Sequence, residues 1–185
     1  MNNLEIFPVY TGRVIWITGL SGAGKSTLAN EIVHKLRARG FPTVMLDGDV
    51  LRDVFGVDPG NSENHVRDRR LSLAKQYAHL CQVVASQGLT VVIATISLFR
   101  EIHDWNRVNL PGYYEVYLNV PLDELKRRDS KGIYSRFDAG ILKCVAGLDI
   151  PVDEPIASDW VVNFSPECSA SVVAENLLTR FLRKD

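Results

Sequence analysis

Short apolar runs rich in β-branched residues recur along the chain, and between them apolar positions fall three or four residues apart. Residues 13–18 (RVIWIT) run into a glycine-rich turn, after which Leu28, Ile32 and Leu36 take up helical spacing across 27–39. That order is strand, loop, helix. Residues 43–46, 89–94 (LTVVIA), 113–120 and 160–164 read as further strands. They are continuous rather than alternating, as strands covered on both faces are. Helical patterns lie between them, including 121–128, opened by a proline, and 170–182, with Val173, Leu177 and Phe181 on one stripe. The alternation predicts an α/β fold with about five parallel strands in one sheet and helices on both faces.

The longest helical pattern covers 62–87, with Ser62 placed as an N-cap and Gly88 as the stop. Its inner stripe reads Val66, Arg70, Leu73, Tyr77, Leu80, Val84, and Arg70 is the one cation in it. Two readings fit Arg70: a long side chain snorkelling to the surface, or a helix end bordering an anion pocket. One stretch, 129–153, breaks the strand-helix rhythm with three glycines and weak periodicity. Loops of that length in a compact domain usually serve function, and a lid is the usual form in an α/β enzyme. Residues 127–143 carry five Lys/Arg and two Asp, whereas 144–167 carry five acids and no Lys or Arg. The basic half is suited to closing over phosphates; a solvated charged loop is the plainer alternative.

The 185 residues form one domain, 1–185, by the usual prior of about 100 to 200 residues per domain. A net charge of -1 gives no overall field for gathering nucleic acid or anionic membrane, so any anion site is local. The three cysteines, Cys81, Cys144 and Cys168, are far apart and odd in number, which fits neither a disulfide framework nor paired zinc ligands. No stretch reaches the roughly 18 uninterrupted apolar residues of a membrane span, and the start lacks a signal-peptide pattern. A cytoplasmic protein is expected.

The chemistry sits in residues 19–27, GLSGAGKST, which satisfy G-x-x-x-x-G-K-[ST] with Gly19, Gly24, Lys25 and Ser26 in the fixed places. Such a loop curls its backbone N–H groups (Leu20, Ser21, Gly22, Ala23 and Thr27 complete it here) around phosphates. Lys25 reaches the β/γ-phosphates and Ser26 offers a hydroxyl to Mg2+. The strand before it and the helix after it supply the confirming context. No guanine-reading NKxD element occurs and the chain is short for a motor ATPase, which leaves a small-molecule kinase with its acceptor at the strand ends. There the second strand finishes in Asp47-Gly48-Asp49, followed by Arg52. A carboxylate here orients or deprotonates a hydroxyl or holds Mg2+ through water; capping a helix over 50–54 is the structural alternative. The third strand finishes in Thr95-Ile96-Ser97, where Ser97 either touches the acceptor or caps a helix beginning at Leu98.

These residues resemble the adenylylsulfate kinase family across about 13–159. The resemblance rests on IWITGLSGAGKST, on LDGDxxR at 46–52, on Ile96-Ser97, and on RDxKGxY at 128–134 followed by AGxxK and GLD. It implies a P-loop kinase fold with a lid, ATP and Mg2+ as cofactors, a nucleotide acceptor and a homodimer. It further implies that 19–27 and Arg128 bind ATP, and that Asp47, Asp49, Arg52, Ile96, Ser97 and Lys131 contact the acceptor, with Asp49 as base or orienter. The family carries a serine at the position of Ser97 assigned as a phosphoserine intermediate. Direct in-line transfer needs no covalent stage, which favours an acceptor-site role. Lys25, Asp49 and Ser97 are the candidate catalytic residues.

The chain departs from the family pattern on the acceptor side. The usual DRxxNIRR segment reads NSENHVRDRR at 61–70, so Asn64, Arg67 and Arg70 stand in for the acceptor-binding residues. The lid's FTG is Val145-Ala146-Gly147, and ISP is Ile96-Ser97-Leu98. The lost phenylalanine would stack on the acceptor base, worth about 1–3 kcal/mol. The expected acceptor is adenosine 5'-phosphosulfate, phosphorylated at its 3'-hydroxyl. A subgroup that the chain resembles acts on cytidine diphosphoramidate instead, and a non-catalytic ATP-binding regulator is the rival of another class.

Overall fold

The computed structural model describes residues 12–57 and 66–183. Ser62 and Asn64 lie outside them. In chain order the elements are β1 (Val14–Thr18), α1 (Lys25–Ala38), β2 (Thr43–Asp47), α2 (Gly48–Val54), α3 (Arg67–Ala85) and β3 (Thr90–Ala94). There follow α4 (Arg100–Asn109), β4 (Tyr114–Asn119), α5 (Leu122–Arg128), α6 (Ile133–Asp138), β5 (Trp160–Asn163) and α7 (Ala170–Phe181). The strands form one sheet in the order β2-β3-β1-β4-β5, and every pairing is parallel. β1 is central, so the loop that leaves its C-terminal end opens between its neighbours, where parallel sheets place their ligands.

Alternate residues of β1 feed two cores. Ile15 and Ile17 face α1 and α7, meeting Ile32, Leu36 and Leu177. Val14 and Trp16 face α3 and α4, meeting Tyr77, Cys81 and Ile102. Both faces of the central strands are buried, which is why their sequences show no alternation. The expected α7 stripe of Val173, Leu177 and Phe181 is buried as read.

The stripe of α3 needs correction. Its buried residues are Ala74, Tyr77, Ala78, Cys81 and Ala85, whereas Leu73, Leu80 and Val84 are only partly covered and Val66 is exposed. Small side chains let this helix lie close to the sheet, and the larger ones flank the contact. A pattern that weighs residues by hydrophobicity therefore points beside the true seam.

The segment after α6 is anchored at both ends. Asp149 accepts from the N–H groups of Cys144 (2.8 Å) and Val145 (2.6 Å), tightening a turn closed by the Ala146–Ile150 bridge. Further on, Asp153 Oδ2 accepts from Arg100 N at 3.1 Å, and Arg107 donates to Asp159 at 2.6 Å and to Ala157 O at 2.9 Å. The far end of the expected lid is thus stapled to α4.

Candidate active site

Gly24 ends the glycine-rich loop in the left-handed region, φ 96, and caps α1 directly. A side chain there would cost roughly 1–2 kcal/mol, so glycine lets the loop turn into the helix within one residue. Lys25 opens the helix, and its ammonium donates to Leu20 O at 2.7 Å. Burial lowers its pKa from 10.5 to about 8; the charge of Lys131 adds to this, while Asp49 and Asp47 oppose it.

Beside the loop, Ser26 Oγ donates to Asp47 Oδ2 at 2.5 Å, while Asp47 Oδ1 accepts from Asp49 N at 2.9 Å. Asp47 therefore caps α2 with one oxygen and faces the loop serine with the other. Asp49 forms an ion pair with Lys131. Burial alone would raise the Asp49 pKa, but the hydrogen bond and charge of Lys131, then Arg52 and Lys25, outweigh it and hold the carboxyl below its ordinary value.

These groups line one cavity of about 440 Å³. Ser21, Gly22, Gly24, Lys25, Ser26 and Thr27 form its floor. Asp47, Asp49 and Arg52 come from the end of β2, Thr95 and Ile96 from the end of β3, and Arg128 and Lys131 from the lid side. A second cavity of about 260 Å³, with Leu28, Leu118, Val162, Phe164 and Val173 among its lining, shares Gly24, Thr27 and Arg128 with the first. Ala23 borders this one. Arg128 sits at the divide. Its Nε donates to Glu124 at 2.7 Å, Nη1 donates to Gly22 O at 3.3 Å, and its guanidinium lies 4.8 Å from the Phe164 ring centre. Sequence reading missed Phe164, which stood only as the last residue of an expected strand.

Gly19 and Leu20 are not among the residues lining the larger cavity, and a Cβ on Gly19 would meet Leu118 O at 2.8 Å. Arg70 is half-buried: burial first, then the charge of Arg52, brings its pKa down to about 10. Among the described residues no carboxylate pairs with it. Arg70 does not line either of the two cavities.

Two further residues expected at the acceptor also lie off the cavity. Arg67 does not line the cavity; its guanidinium pairs with Glu101 at 3.0 Å and Asp153 at 3.4 Å, because α3 begins beside the N-terminus of α4. Ser97 neither lines the cavity nor caps α4, whose N-cap is Phe99. With φ at 24 the chain turns Ser97 back into the strand end, where its buried hydroxyl shares a 2.8 Å hydrogen bond with Thr95 Oγ1. Thr95 takes the place at the wall expected of Ser97.

The sequence model of the adenylylsulphate kinase family matches residues 11–163. The chain belongs to the adenylylsulphate kinase family. This is a family of kinases, so the protein is an ATP-dependent phosphotransferase. Among its relatives, the adenylyl-sulfate kinase of Paraburkholderia xenovorans is 39% identical over 152 residues, 82% of this chain and 83% of that protein. The cytidine diphosphoramidate kinase of Campylobacter jejuni is 38% identical over 154 residues, 82% of this chain and 86% of that protein. Among solved structures, the APS kinase of Mycobacterium tuberculosis in complex with AMPPNP and APS matches with a TM-score of 0.80 at 29% identity, covering 94% of this chain and 99% of that one. Within this adenylylsulphate kinase family member the departing lid residues are well packed. Val145 and Ala146 are buried, and Gly147, at φ 82, sits so close to Leu20 that an added Cβ would lie 2.8 Å from its side chain.

Proposed function

We propose that the protein transfers the γ-phosphoryl group of ATP to the 3'-hydroxyl of adenosine 5'-phosphosulfate. The observation that carries this reading is one cavity in which Lys25 and Ser26 face Asp49 and Arg52. The smaller, apolar cavity takes the adenine of ATP, with Phe164 and Arg128 at its side. From there the phosphates pass Gly24 and Thr27 to Lys25. Ser26 and Asp47 are suited to Mg2+: both offer oxygen, and Mg2+ asks for only one or two protein oxygens beside phosphates and water. When bound, Mg2+ neutralises charge on the β- and γ-phosphates.

Asp49 accepts a hydrogen bond from the attacking hydroxyl and aligns it. A carboxylate held below its ordinary pKa is a weak base, which suits a loose phosphoryl transition state in which positioning counts most. Lys25 and Arg128 carry charge developing on the transferred group, while Arg52 and Arg70 balance the acceptor's anionic groups. The lid over 129–153 excludes water, the competing acceptor. The chain works as a cytoplasmic homodimer in this reading.

The second reading, cytidine diphosphoramidate as acceptor, is favoured by the Campylobacter jejuni relative and by aliphatic Val145 where an aromatic stack on adenine is expected. A non-catalytic regulator needs no acceptor-side carboxylate and cation, yet Asp49 and Arg52 share one cavity with Lys25 and Ser26. Acceptor-dependent ADP release by the purified protein is the test. Release with a nucleotide anhydride supports the kinase reading, and none with either acceptor sinks it.

A further inference from the structure

Three consecutive residues of the phosphate loop are each held from the lid side. Gly147 packs against the Leu20 side chain, the Tyr134 hydroxyl donates to Ser21 O at 2.9 Å, and Arg128 donates to Gly22 O at 3.3 Å. Tyr134 is the tyrosine that ends the RDxKGxY string, and nothing in the proposed chemistry uses it. Its ring is 2% exposed, packed in the same core as Ala23 and Leu125. Its place is set by Asp129, whose carboxylate accepts from the N–H groups of Tyr134 (2.9 Å) and Ser135 (3.0 Å) and so fixes the first turn of α6.

A buried phenol needs an acceptor, and the one it takes is a loop carbonyl. In a trans peptide the C=O of one residue and the N–H of the next point in opposite directions. Holding Ser21 O toward Tyr134 therefore turns the Gly22 N–H the other way. Ser21 and Gly22 both line the large cavity and Tyr134 does not, so that N–H is directed to the side where phosphates are expected. Gly22, at φ 78, has the freedom to flip this peptide if the hydrogen bond is lost. Burial, and then the charge of Asp129, pushes the phenol up to about 12, so Tyr134 remains a donor throughout the working pH range.

We propose that Tyr134 is a positioning residue that presets the Ser21–Gly22 peptide for the donor phosphates and ties the orientation of the phosphate loop to the seating of α6. This rests on the kinase reading above. It assigns Tyr134 to the donor side although it belongs to the lid, and it makes the lid helix part of the ATP site before any acceptor is bound.

The test is Tyr134→Phe in the full chain, which keeps the ring and removes the hydroxyl. Binding of a non-hydrolysable ATP analogue with Mg2+ is measured by calorimetry, and KM is measured for ATP and for the acceptor. One lost hydrogen bond at a preset loop is expected to weaken analogue binding about 5- to 10-fold and raise the ATP KM by a similar factor, with the acceptor KM within twofold. Amide exchange over the 20–24 loop is expected to quicken in the variant while the sheet stays protected. Analogue binding within twofold of the parent protein would overturn the proposal. So would equal losses for donor and acceptor with lowered protection of the sheet, the mark of a merely structural role. If the parent protein itself fails to bind the analogue, the kinase reading falls and the proposal with it.

Discussion

Nucleotide binding at Lys25 is expected to take up a proton from solution, and the amount follows from the site. In the free protein burial brings the Lys25 pKa to about 8, so about half the molecules lack that proton at pH 8, about a tenth at pH 7 and about nine tenths at pH 9. Phosphates beside the amine restore the charge. The expected uptake is therefore about 0.1, 0.5 and 0.9 protons per nucleotide at those three pH values. The fall from 10.5 corresponds to about 3 kcal/mol of charge penalty. Lys25 keeps part of its surface in water, and screening reduces this to on the order of 2 kcal/mol. Calorimetry in buffers of different ionisation heat reads the uptake directly, using ADP with Mg2+ at pH 8 and above, where its phosphates are already ionised. The same pKa sets a stability trend. The unfolded chain holds this proton up to about 10.5 and the folded one releases it near 8, so this residue's contribution to stability rises with pH across that window. Lys25→Met is expected to stabilise the free protein near pH 7 by up to about 2 kcal/mol and to abolish transfer. Uptake below about 0.1 at both pH 8 and pH 9 would refute the reasoning, because it would mean that Lys25 is solvated like a surface lysine.

Three further substitutions probe the rest of the site. Lys131→Met removes an ion pair whose side chains are 51% and 59% exposed, so the melting temperature is expected to move by less than about 4 °C. The Asp49 pKa loses its main depressing partner, and the acid limb of the pH–rate profile is expected to shift upward. Ser97→Ala loses one buried hydrogen bond, about 0.5–1.5 kcal/mol, and is expected to lower turnover less than about tenfold. Complete loss of transfer with the fold intact would instead restore a phosphoserine intermediate. Gly147→Ala strains a residue at φ 82 and pushes on Leu20, and is expected to cost about 1–2 kcal/mol in chemical denaturation, a cost that an unchanged midpoint would exclude.

The sheet was legible because its strands are apolar on both faces and end in polar, glycine-bearing turns. All five were placed within two residues of their observed limits. The phosphate loop and the Asp47-Gly48-Asp49 turn were legible because each residue type there answers a chemical need at fixed spacing. The seam of α3 was misplaced because alanine and cysteine carry little hydrophobic signal yet let a helix approach a sheet closely. Arg67 was placed at the acceptor because its partners, Glu101 and Asp153, lie 34 and 86 residues away in the chain and give no local sign of an ion pair. Ser97 stands just past the end of β3, as the sequence indicates, but its hydroxyl bonds to Thr95 two residues earlier, a contact that no residue-type pattern announces. The tie between Tyr134 and Ser21 spans 113 residues, and no spacing rule reaches that far.

Phosphoryl transfer to the acceptor is the chemistry proposed for this site, and one measurement tests it directly. With γ-labelled ATP and Mg2+, adenosine 5'-phosphosulfate and cytidine diphosphoramidate are offered side by side, kcat/KM is compared, and the position of the label in the product is determined. Label is expected on the 3'-hydroxyl of adenosine 5'-phosphosulfate, with a higher kcat/KM for it than for the cytidine compound. A higher value for the cytidine compound would reassign the acceptor within the same kinase chemistry. No label transferred to either would contradict the central claim.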